Sequence, residues 1–255
     1  MVYIGAAALF ALSFSGFCLF YSGVEQEAAV ICSPKPVIVI DADHGGMDGG
    51  ASSSDGTLEK DITLQIARSL EKEFSSYEVD VIMTRNDDKW LADDDDRPIR
   101  ARKREDLMRR KEIIDNSQAD AAILIHLNSF PEDALVCGAQ VFYPKENEAR
   151  TDVRTVSDIS RMLAESVQKS LEININDGRE RKAMAKNDIL LFKEVKTPSL
   201  LVECGFLSCP QEAEKLKTAE YQQLVAKAIL QGVNEILFLE KKEKMQIIYS
   251  TNKPG

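Results

Sequence analysis

The chain has 255 residues, a formal net charge of −10 at neutral pH and a hydrophobic fraction of 44%. This length and composition are typical of one sizeable globular domain rather than of a disordered or fibrous protein. Nucleic-acid binding needs a basic surface that neutralises phosphates, so the acidic balance argues against nucleic acid as the main partner. An anionic polymer stays open as a substrate wherever a local groove is basic.

The first 23 residues are mostly apolar, and no charged side chain precedes Glu25. A helix of this length is about enough to cross the hydrocarbon core of a bilayer. A cleaved secretory signal is the alternative, although the segment lacks a basic start and a small-x-small cleavage site. We expect residues 1–23 to be a membrane anchor or a signal peptide rather than a buried soluble helix. The protein is then extracytoplasmic, and residues 24–35 are a tether.

Short apolar runs alternate with helical repeats along the rest of the chain. Strands are predicted at residues 37–40, 79–84, 121–126, 138–143, 189–192 and 199–203, and helices at 58–70, from 98 onward, 156–171 and 219–239. Strands separated by helices predict a mainly parallel sheet with helices on both faces. We therefore expect one α/β domain over residues 36–239 and a frayed, charged tail at residues 240–255.

A dense basic run lies in the second predicted helix. Most such runs form a solvated helix face, and we favour that interpretation over an anion-binding groove. The eight basic residues are Arg97, Arg100, Arg102, Lys103, Arg104, Arg109, Arg110 and Lys111.

The five cysteines form no regularly spaced framework. Cys204 and Cys209 are close enough in the sequence to form a disulfide bond in an oxidising compartment. We favour the alternative, in which both are small buried residues. The other three cysteines are Cys18, Cys32 and Cys137.

The sequence holds only two histidines, and each follows an apolar run of strand length. His44 follows the first predicted strand and His126 ends the third, while Glu59 lies at the start of the first helix. Ligands of parallel α/β sheets bind beyond the carboxyl ends of the strands, so Asp41, His44, His126 and Glu203 are expected to share one edge, with Glu59 near the end of the first strand. Two histidines and one carboxylate form the ligand set of a catalytic zinc site. The alternative is that each histidine only satisfies the end of a strand.

Glu203 ends the last predicted strand and is followed by Cys204 and Gly205. A carboxylate near a metal-activated water can pass the proton of that water to a leaving amine. Glu203 is therefore the candidate general base or acid, and the alternative is a carboxylate paired with an arginine or a helix end. A site of this kind hydrolyses an amide without a nucleophilic serine or cysteine.

Seven blocks of the sequence, taken in order, resemble the zinc N-acetylmuramoyl-L-alanine amidases of peptidoglycan, amidase type 3. The resemblance covers about residues 36–238, and the blocks are highly specific when taken together. Arg102-Lys103-x-Glu105-Asp106-Leu107 and the absence of a wall-binding repeat look most like the spore-cortex, germination-specific amidases. The blocks are DxxHGG at 41–46, LEKD at 58–61, MTR at 83–85, AD at 119–120, IHLN at 125–128, GAQ at 138–140 and VECGFLS at 202–208.

The resemblance implies one domain with a mixed six-stranded sheet. It also implies that His44, Glu59 and His126 bind Zn²⁺ and that Glu203 is catalytic. The implied reaction is hydrolysis of the amide between the muramic acid lactyl group and L-alanine of the stem peptide. In the spore-cortex subgroup, this step prepares the formation of muramic δ-lactam by a second enzyme.

The chain departs from the family pattern at three positions: Asp43 stands where glycine is usual, Leu124 where serine is common and Cys209 where asparagine is common. An extra carboxylate beside a ligand is expected to crowd or over-coordinate the metal. We predict retained zinc binding, with activity that is weaker or depends on a partner. The segment after Tyr143 is too short for the inserted helix that plugs the site of some relatives. Any control is therefore expected from a separate, activating protein.

Two other functions stay open. One is a non-catalytic peptidoglycan-binding or scaffold protein that keeps the fold and has lost turnover. The other is a zinc peptidase of unrelated specificity, which would cut between amino acids and leave the sugar-linked amide whole.

Overall fold

The computed structural model describes residues 35–145, 155–175 and 179–251, with the backbone alone for residues 238–251. These residues belong to one compact unit that begins at Lys35. The predicted anchor or signal at residues 1–23 lies outside the described residues, as does the predicted tether up to Pro34. None of the described helices has the length and apolarity needed to cross a bilayer.

Six strands form one sheet in the order β2-β1-β3-β6-β4-β5. The strands β2, β1, β3 and β6 run parallel to one another, while β4 is antiparallel to β6 and parallel to β5. This arrangement confirms the predicted α/β domain with a mixed, mostly parallel sheet. The strands are β1 (Val37–Ala42), β2 (Asp80–Met83), β3 (Ala121–Asn128), β4 (Gln140–Pro144), β5 (Met184–Lys186) and β6 (Ser199–Phe206).

Successive residues of a strand point to opposite sides of the sheet. Because the central strands are apolar on both sides, helices cover both faces of the sheet. Ile38 and Ile40 of β1 join the larger apolar cluster, with the helices α1, α3 and α6, whereas Val39 joins a smaller cluster with α2 and α4. Leu124 lies in this smaller cluster, so the leucine is a core residue. The helices are α1 (Glu59–Phe74), α2 (Ile99–Asn116), α3 (Val156–Asn174), α4 (Leu190–Glu194), α5 (Pro210–Leu216) and α6 (Ala219–Thr251).

The predicted strand at residues 189–192 is wrong, because this stretch lies at the start of helix α4. A short apolar run has no periodicity that separates a buried strand from a buried helix. Leu191 and Phe192 are buried by packing in the cluster that includes Ile114. The fifth strand along the chain is instead β5, which lies at the edge of the sheet; its residues are largely exposed and show no apolar pattern. The last helix continues to Thr251, beyond the predicted end at residue 239.

The basic run in α2 is only partly a solvated face. Arg97, Arg100, Lys103 and Arg104 are exposed, as predicted. Arg102 and Arg110 are buried, so the interpretation is wrong for these two residues. The physical reason is that both turn toward acidic partners: Arg102 Nη2 lies 2.5 Å from Asp94 Oδ1, and Arg110 pairs with Asp41 and Asp106.

Cys209 forms a disulfide bond with Cys137, with a Cα–Cα distance of 5.8 Å. The pairing of Cys204 with Cys209 is therefore wrong, and so is the favoured interpretation of Cys209 as a simple buried residue. Cys204 is buried and has no disulfide partner among the described residues, as predicted. Antiparallel pairing of β4 with β6 places the residues before β4 beside those after β6, which brings Cys137 to Cys209.

Candidate metal centre

The turn after β1 carries His44 at the carboxyl edge of the sheet. His44 has a φ of 61°, a left-handed conformation that is uncommon for residues other than glycine. Two buried arginines hold this turn through its carbonyl oxygens. Arg110 donates from Nη2 to His44 O at 2.6 Å and from Nη1 to Ala42 O at 2.8 Å, and Arg85 donates from Nε to Ala42 O at 2.8 Å. The guanidinium groups thus fix the backbone of the turn, and with it the position of the His44 side chain.

The structure brings together His44, Glu59 and His126, the three residues predicted as metal ligands. His44 Nε2 lies 3.2 Å from Glu59 Oε2, and His126 Nδ1 lies 3.7 Å from Glu59 Oε1. Asp43 joins them, with Oδ2 at 3.1 Å from His44 Nε2 and 3.0 Å from His126 Nδ1. One ligand atom from each of the four residues fits within a 4.8 Å cluster.

Hydrogen bonds orient two of these side chains. Glu59 is buried, and its oxygens accept the backbone N–H groups of Ala51 and Leu127, each at 2.8 Å. His44 Nδ1 lies 3.0 Å from Asp48 Oδ2, which leaves Nε2 free to face the cluster. Partners of this kind on the far side of a ligand are typical of metal sites, where they fix ring orientation.

Gly50 leaves the space that the side chains of His44 and Glu59 occupy. The glycine has a φ of +68°, and a Cβ atom there would lie 2.6 Å from both Glu59 Oε2 and His44 Cδ2. A side chain at this position would therefore collide with two members of the cluster. The loop around Gly50 forms one wall of the site.

The cluster has an excess of negative charge. Burial alone would lower the pKa of His44, but hydrogen bonds to Asp48 and Glu59 and the negative charge of Asp43 raise it to about 11. Burial would likewise raise the pKa of Asp43, yet the charges of His126, His44 and Arg110 hold it below its ordinary value. A group of carboxylates that holds a histidine in its cationic form is electrostatically suited to a cation.

Glu203 lies on β6 and pairs in register with His126 of β3. Its Oε2 atom is buried and has no hydrogen-bond partner among the residues that the structure describes. Burial raises the pKa of Glu203 to about 7, opposed by the positive charge of His126 and assisted by the negative charge of Glu59. An unpaired buried carboxylate oxygen costs free energy, so its presence beside the cluster indicates a functional position.

The side chains fit a divalent first-row metal. Two imidazole nitrogens with carboxylate oxygens are the donors that Zn²⁺ prefers in catalytic sites. The nitrogen and oxygen atoms that face one another come from three separate segments of the chain: the turn after β1, the start of helix α1, and β3. This arrangement is typical of hydrolases that use a metal ion and a carboxylate.

The chain belongs to the N-acetylmuramoyl-L-alanine amidase family, whose profile matches residues 38–235. It is 36% identical over 200 residues to the germination-specific N-acetylmuramoyl-L-alanine amidase of Bacillus subtilis, covering 77% of this chain and 78% of that protein. It is 27% identical to N-acetylmuramoyl-L-alanine amidase AmiA of Escherichia coli over 245 residues, or 83% of this chain and 80% of that protein. The chain is thus a peptidoglycan amidase.

Among solved structures, the chain is similar to the CwlD amidase of Clostridioides difficile, determined in complex with the GerS lipoprotein. The TM-score is 0.74 and the identity 37%, over 80% of this chain and all of that one (100%). An N-acetylmuramoyl-L-alanine amidase from Clostridium difficile 630 gives a TM-score of 0.67 and 31% identity, over 80% and 98% of the two chains. The resemblance to spore-cortex, germination-specific amidases is confirmed.

Three residues that support the site were not predicted as parts of it. Asp48 contacts His44, while Arg85 and Arg110 hold the turn after β1. One signal was present for Arg110, because Asp106 stands four residues earlier in the same helix and forms an ion pair with it. Arg85 belongs to one of the family blocks, yet nothing local in the sequence shows that its acceptors are backbone carbonyls.

Proposed function

We propose that this chain is a zinc-dependent hydrolase that cleaves the amide bond between N-acetylmuramic acid and L-alanine of the stem peptide. One observation carries the proposal. His44, Glu59 and His126 converge at the edge of the sheet, and the unpaired oxygen of Glu203 is buried on the strand beside His126.

Each residue has a distinct role in this proposal. His44 through Nε2, His126 through Nδ1 and Glu59 through its carboxylate hold Zn²⁺, and Asp48 orients the ring of His44. When bound, the metal polarises the amide carbonyl and lowers the pKa of a water molecule. Glu203 accepts the proton of the attacking water and donates it to the departing nitrogen of L-alanine. The pKa of Glu203, raised to about 7, suits a group that must both accept and release a proton near neutral pH.

We also propose a role in spore-cortex maturation. The similarity to the germination-specific enzyme of Bacillus subtilis supports it. Removal of the stem peptide leaves a muramic acid carboxyl group that a second enzyme can close into the δ-lactam. Such a role requires an extracytoplasmic location. We assign four regions accordingly: an N-terminal anchor or signal at residues 1–23, a tether at 24–35, a catalytic domain at 36–239 and a charged tail at 240–255.

A separate protein is proposed to control the site. The Clostridioides difficile amidase, which is 37% identical, was solved with a lipoprotein bound to it. A partner that orders the ligands of this chain would raise its affinity for zinc or its turnover. A candidate partner is therefore recognised by a rise in the zinc affinity or the turnover of this chain when the two proteins are mixed.

The test is digestion of purified peptidoglycan with the zinc-loaded protein, followed by mass spectrometry of the products. We expect release of stem peptides that begin with L-alanine, and glycan strands that keep the lactyl group. Glu203→Gln should reduce the rate by at least about 10²-fold. Glu214→Gln is the matched control, because Glu214 is an exposed carboxylate that pairs with Lys217.

Two outcomes contradict the proposal. Cleavage between amino acids with the sugar-linked amide intact indicates a peptidase. Binding to peptidoglycan without hydrolysis, with and without cell-extract proteins, indicates a non-catalytic scaffold. Removal of zinc with a chelator must abolish hydrolysis, and restored zinc must recover it.

A further inference from the structure

We propose that Asp43 is a fourth side-chain ligand of the metal ion and closes its coordination in the resting protein. This inference rests on the proposed zinc site. It concerns a residue that belongs neither to the predicted ligand set nor to the proton-transfer step.

The distances around Asp43 match those of a ligand. In a tetrahedral zinc site with bonds of about 2.0–2.1 Å, neighbouring donor atoms lie about 3.3 Å apart. Asp43 Oδ2 lies 3.1 Å from His44 Nε2 and 3.0 Å from His126 Nδ1. Glu59 lies 3.2 Å and 3.7 Å from the same two nitrogens. Asp43 is therefore at least as close to both imidazoles as the predicted carboxylate ligand.

The backbone of Asp43 is held in place from several directions. Its N–H donates to Ile125 O at 3.2 Å, and its carbonyl accepts from Thr63 Oγ1 and Arg85 Nη2, each at 3.1 Å. Only 7% of the residue is exposed. The carboxylate is thus directed into the cluster by a rigid main chain, and side-chain rotation is the movement left to it.

A fourth protein ligand changes what the site does at rest. Zinc sites with four protein ligands are closed and structural, whereas catalytic sites keep one position for water or substrate. Asp43 in the fourth position therefore tightens the hold on the ion and excludes the attacking water. Turnover requires the carboxylate to rotate away, which a bound substrate or partner can bring about by binding the open form better.

The first test measures zinc affinity by competition with a fluorescent chelator. Asp43→Asn removes the ligand charge and keeps the shape, while Asp48→Asn makes the same change at the carboxylate on the far side of His44. Loss of an orienting partner costs about 10- to 100-fold in affinity, so we expect about 10-fold for Asp48→Asn and about 100-fold or more for Asp43→Asn. Asp43→Ala, which has no side-chain oxygen, should reproduce the result. Circular dichroism of the metal-free proteins checks that each variant is folded.

The second test loads the proteins with Co²⁺ and follows the visible absorption during addition of azide, a small anion that replaces water at an open metal position. The wild-type spectrum should stay unchanged, and the spectrum of Asp43→Asn should shift. A wild-type spectrum that shifts like that of the variant overturns the proposal. Equal loss of zinc affinity in Asp43→Asn and Asp48→Asn also overturns it.

Failure of this inference is separable from failure of the proposed function. If wild type and Asp43→Asn bind zinc equally and both hydrolyse peptidoglycan, Asp43 is not a ligand and the amidase assignment stands. If azide reaches the metal only in Asp43→Asn and no form hydrolyses peptidoglycan, Asp43 is a ligand and the proposed function fails. We expect the third result, in which Asp43→Asn binds zinc more weakly and hydrolyses faster when zinc is saturating.

Discussion

Arg110 Nη2 donates a hydrogen bond of 2.6 Å to the carbonyl oxygen of His44, so a buried guanidinium holds the backbone of a proposed metal ligand. The same side chain pairs with Asp41 at 2.7 Å and Asp106 at 2.6 Å. One arginine thereby joins helix α2 to the end of β1. The contact explains how a non-glycine residue keeps a left-handed conformation, which strains the backbone by about 1–3 kcal/mol.

Arg110→Lys should weaken zinc binding without removing the positive charge. Lysine lacks the planar, forked donor group, so it cannot serve the carbonyl and both carboxylates together. We expect a rise in the zinc dissociation constant of about 10-fold or more, as for other partners that orient a ligand. Chelator competition measures it. Arg109→Lys is the matched control, because Arg109 is partly exposed and pairs with Glu105 and Asp93. Equal affinities of the two variants would contradict the assigned role.

Gly50→Ala should damage the metal site by a direct clash. The new Cβ atom would lie 2.6 Å from Glu59 Oε2 and His44 Cδ2, so one of the two side chains must move. Gly56→Ala is the control, because Gly56 also has a positive φ, of +88°, but a Cβ atom there would meet no heavy atom within 4 Å in the described part of the chain. Both variants carry the backbone strain, and only Gly50→Ala should lose zinc affinity, by about 10-fold or more. Unchanged zinc binding in Gly50→Ala would show that the loop moves to accommodate the new Cβ atom and that the side chains of His44 and Glu59 stay in place.

The disulfide between Cys137 and Cys209 should stabilise the domain. It links positions 72 residues apart, and such cross-links typically contribute about 2–4 kcal/mol to the free energy of unfolding. Urea unfolding with and without a reducing agent measures this contribution. The reductant should lower the stability of the wild type and leave the Cys137→Ser, Cys209→Ser double variant unchanged. Peptide mapping should find Cys204 alkylated only after unfolding, because its thiol is buried.

Ionisation of Glu203 should destabilise the metal-free protein. Burial raises its pKa from the ordinary value of 4.5 to about 7, so the folded state favours the protonated carboxyl group. Between these two values the folded chain binds more protons than the unfolded chain, and stability falls as pH rises. The free energy of unfolding of the wild type, measured in urea with a chelator present, should fall by up to about 3 kcal/mol relative to Glu203→Gln from pH 4.5 to 7. If the free energies of unfolding of the wild type and Glu203→Gln change in parallel with pH, then folding does not raise the pKa of Glu203.

The core strands could be predicted because each is a short β-branched or aliphatic run bounded by polar residues. β1, β3 and β6 are buried on both faces, so burial alone specifies them. β5 could not be predicted, because it is a three-residue edge strand that is mostly exposed. Helix α4 could not be distinguished from a strand, since Leu191 and Phe192 would be buried in either form.

The positions of the candidate site residues followed from the strand ends. His44, His126 and Glu203 each lie at or near the carboxyl end of a central strand, and parallel pairing brings those ends together. The partners of these residues did not follow from the sequence. The contact of Asp48 with His44 depends on a left-handed turn, and the Cys137–Cys209 bond depends on an antiparallel strand inside a mainly parallel sheet.

The order of the central strands also determines when the site forms during folding. β1, β3 and β6 are neighbours in space, yet about 70 to 80 residues of chain separate each from the next, so none of them can pair through a local hairpin. Such distant pairing makes folding slow. In a nascent chain that has not reached Phe206, strand β6 is incomplete, and Glu203 does not yet lie beside His126. All of the proposed ligands precede β6 in the chain, so the last part of the site to form is the pairing of β6 with β3, which brings Glu203 beside His126.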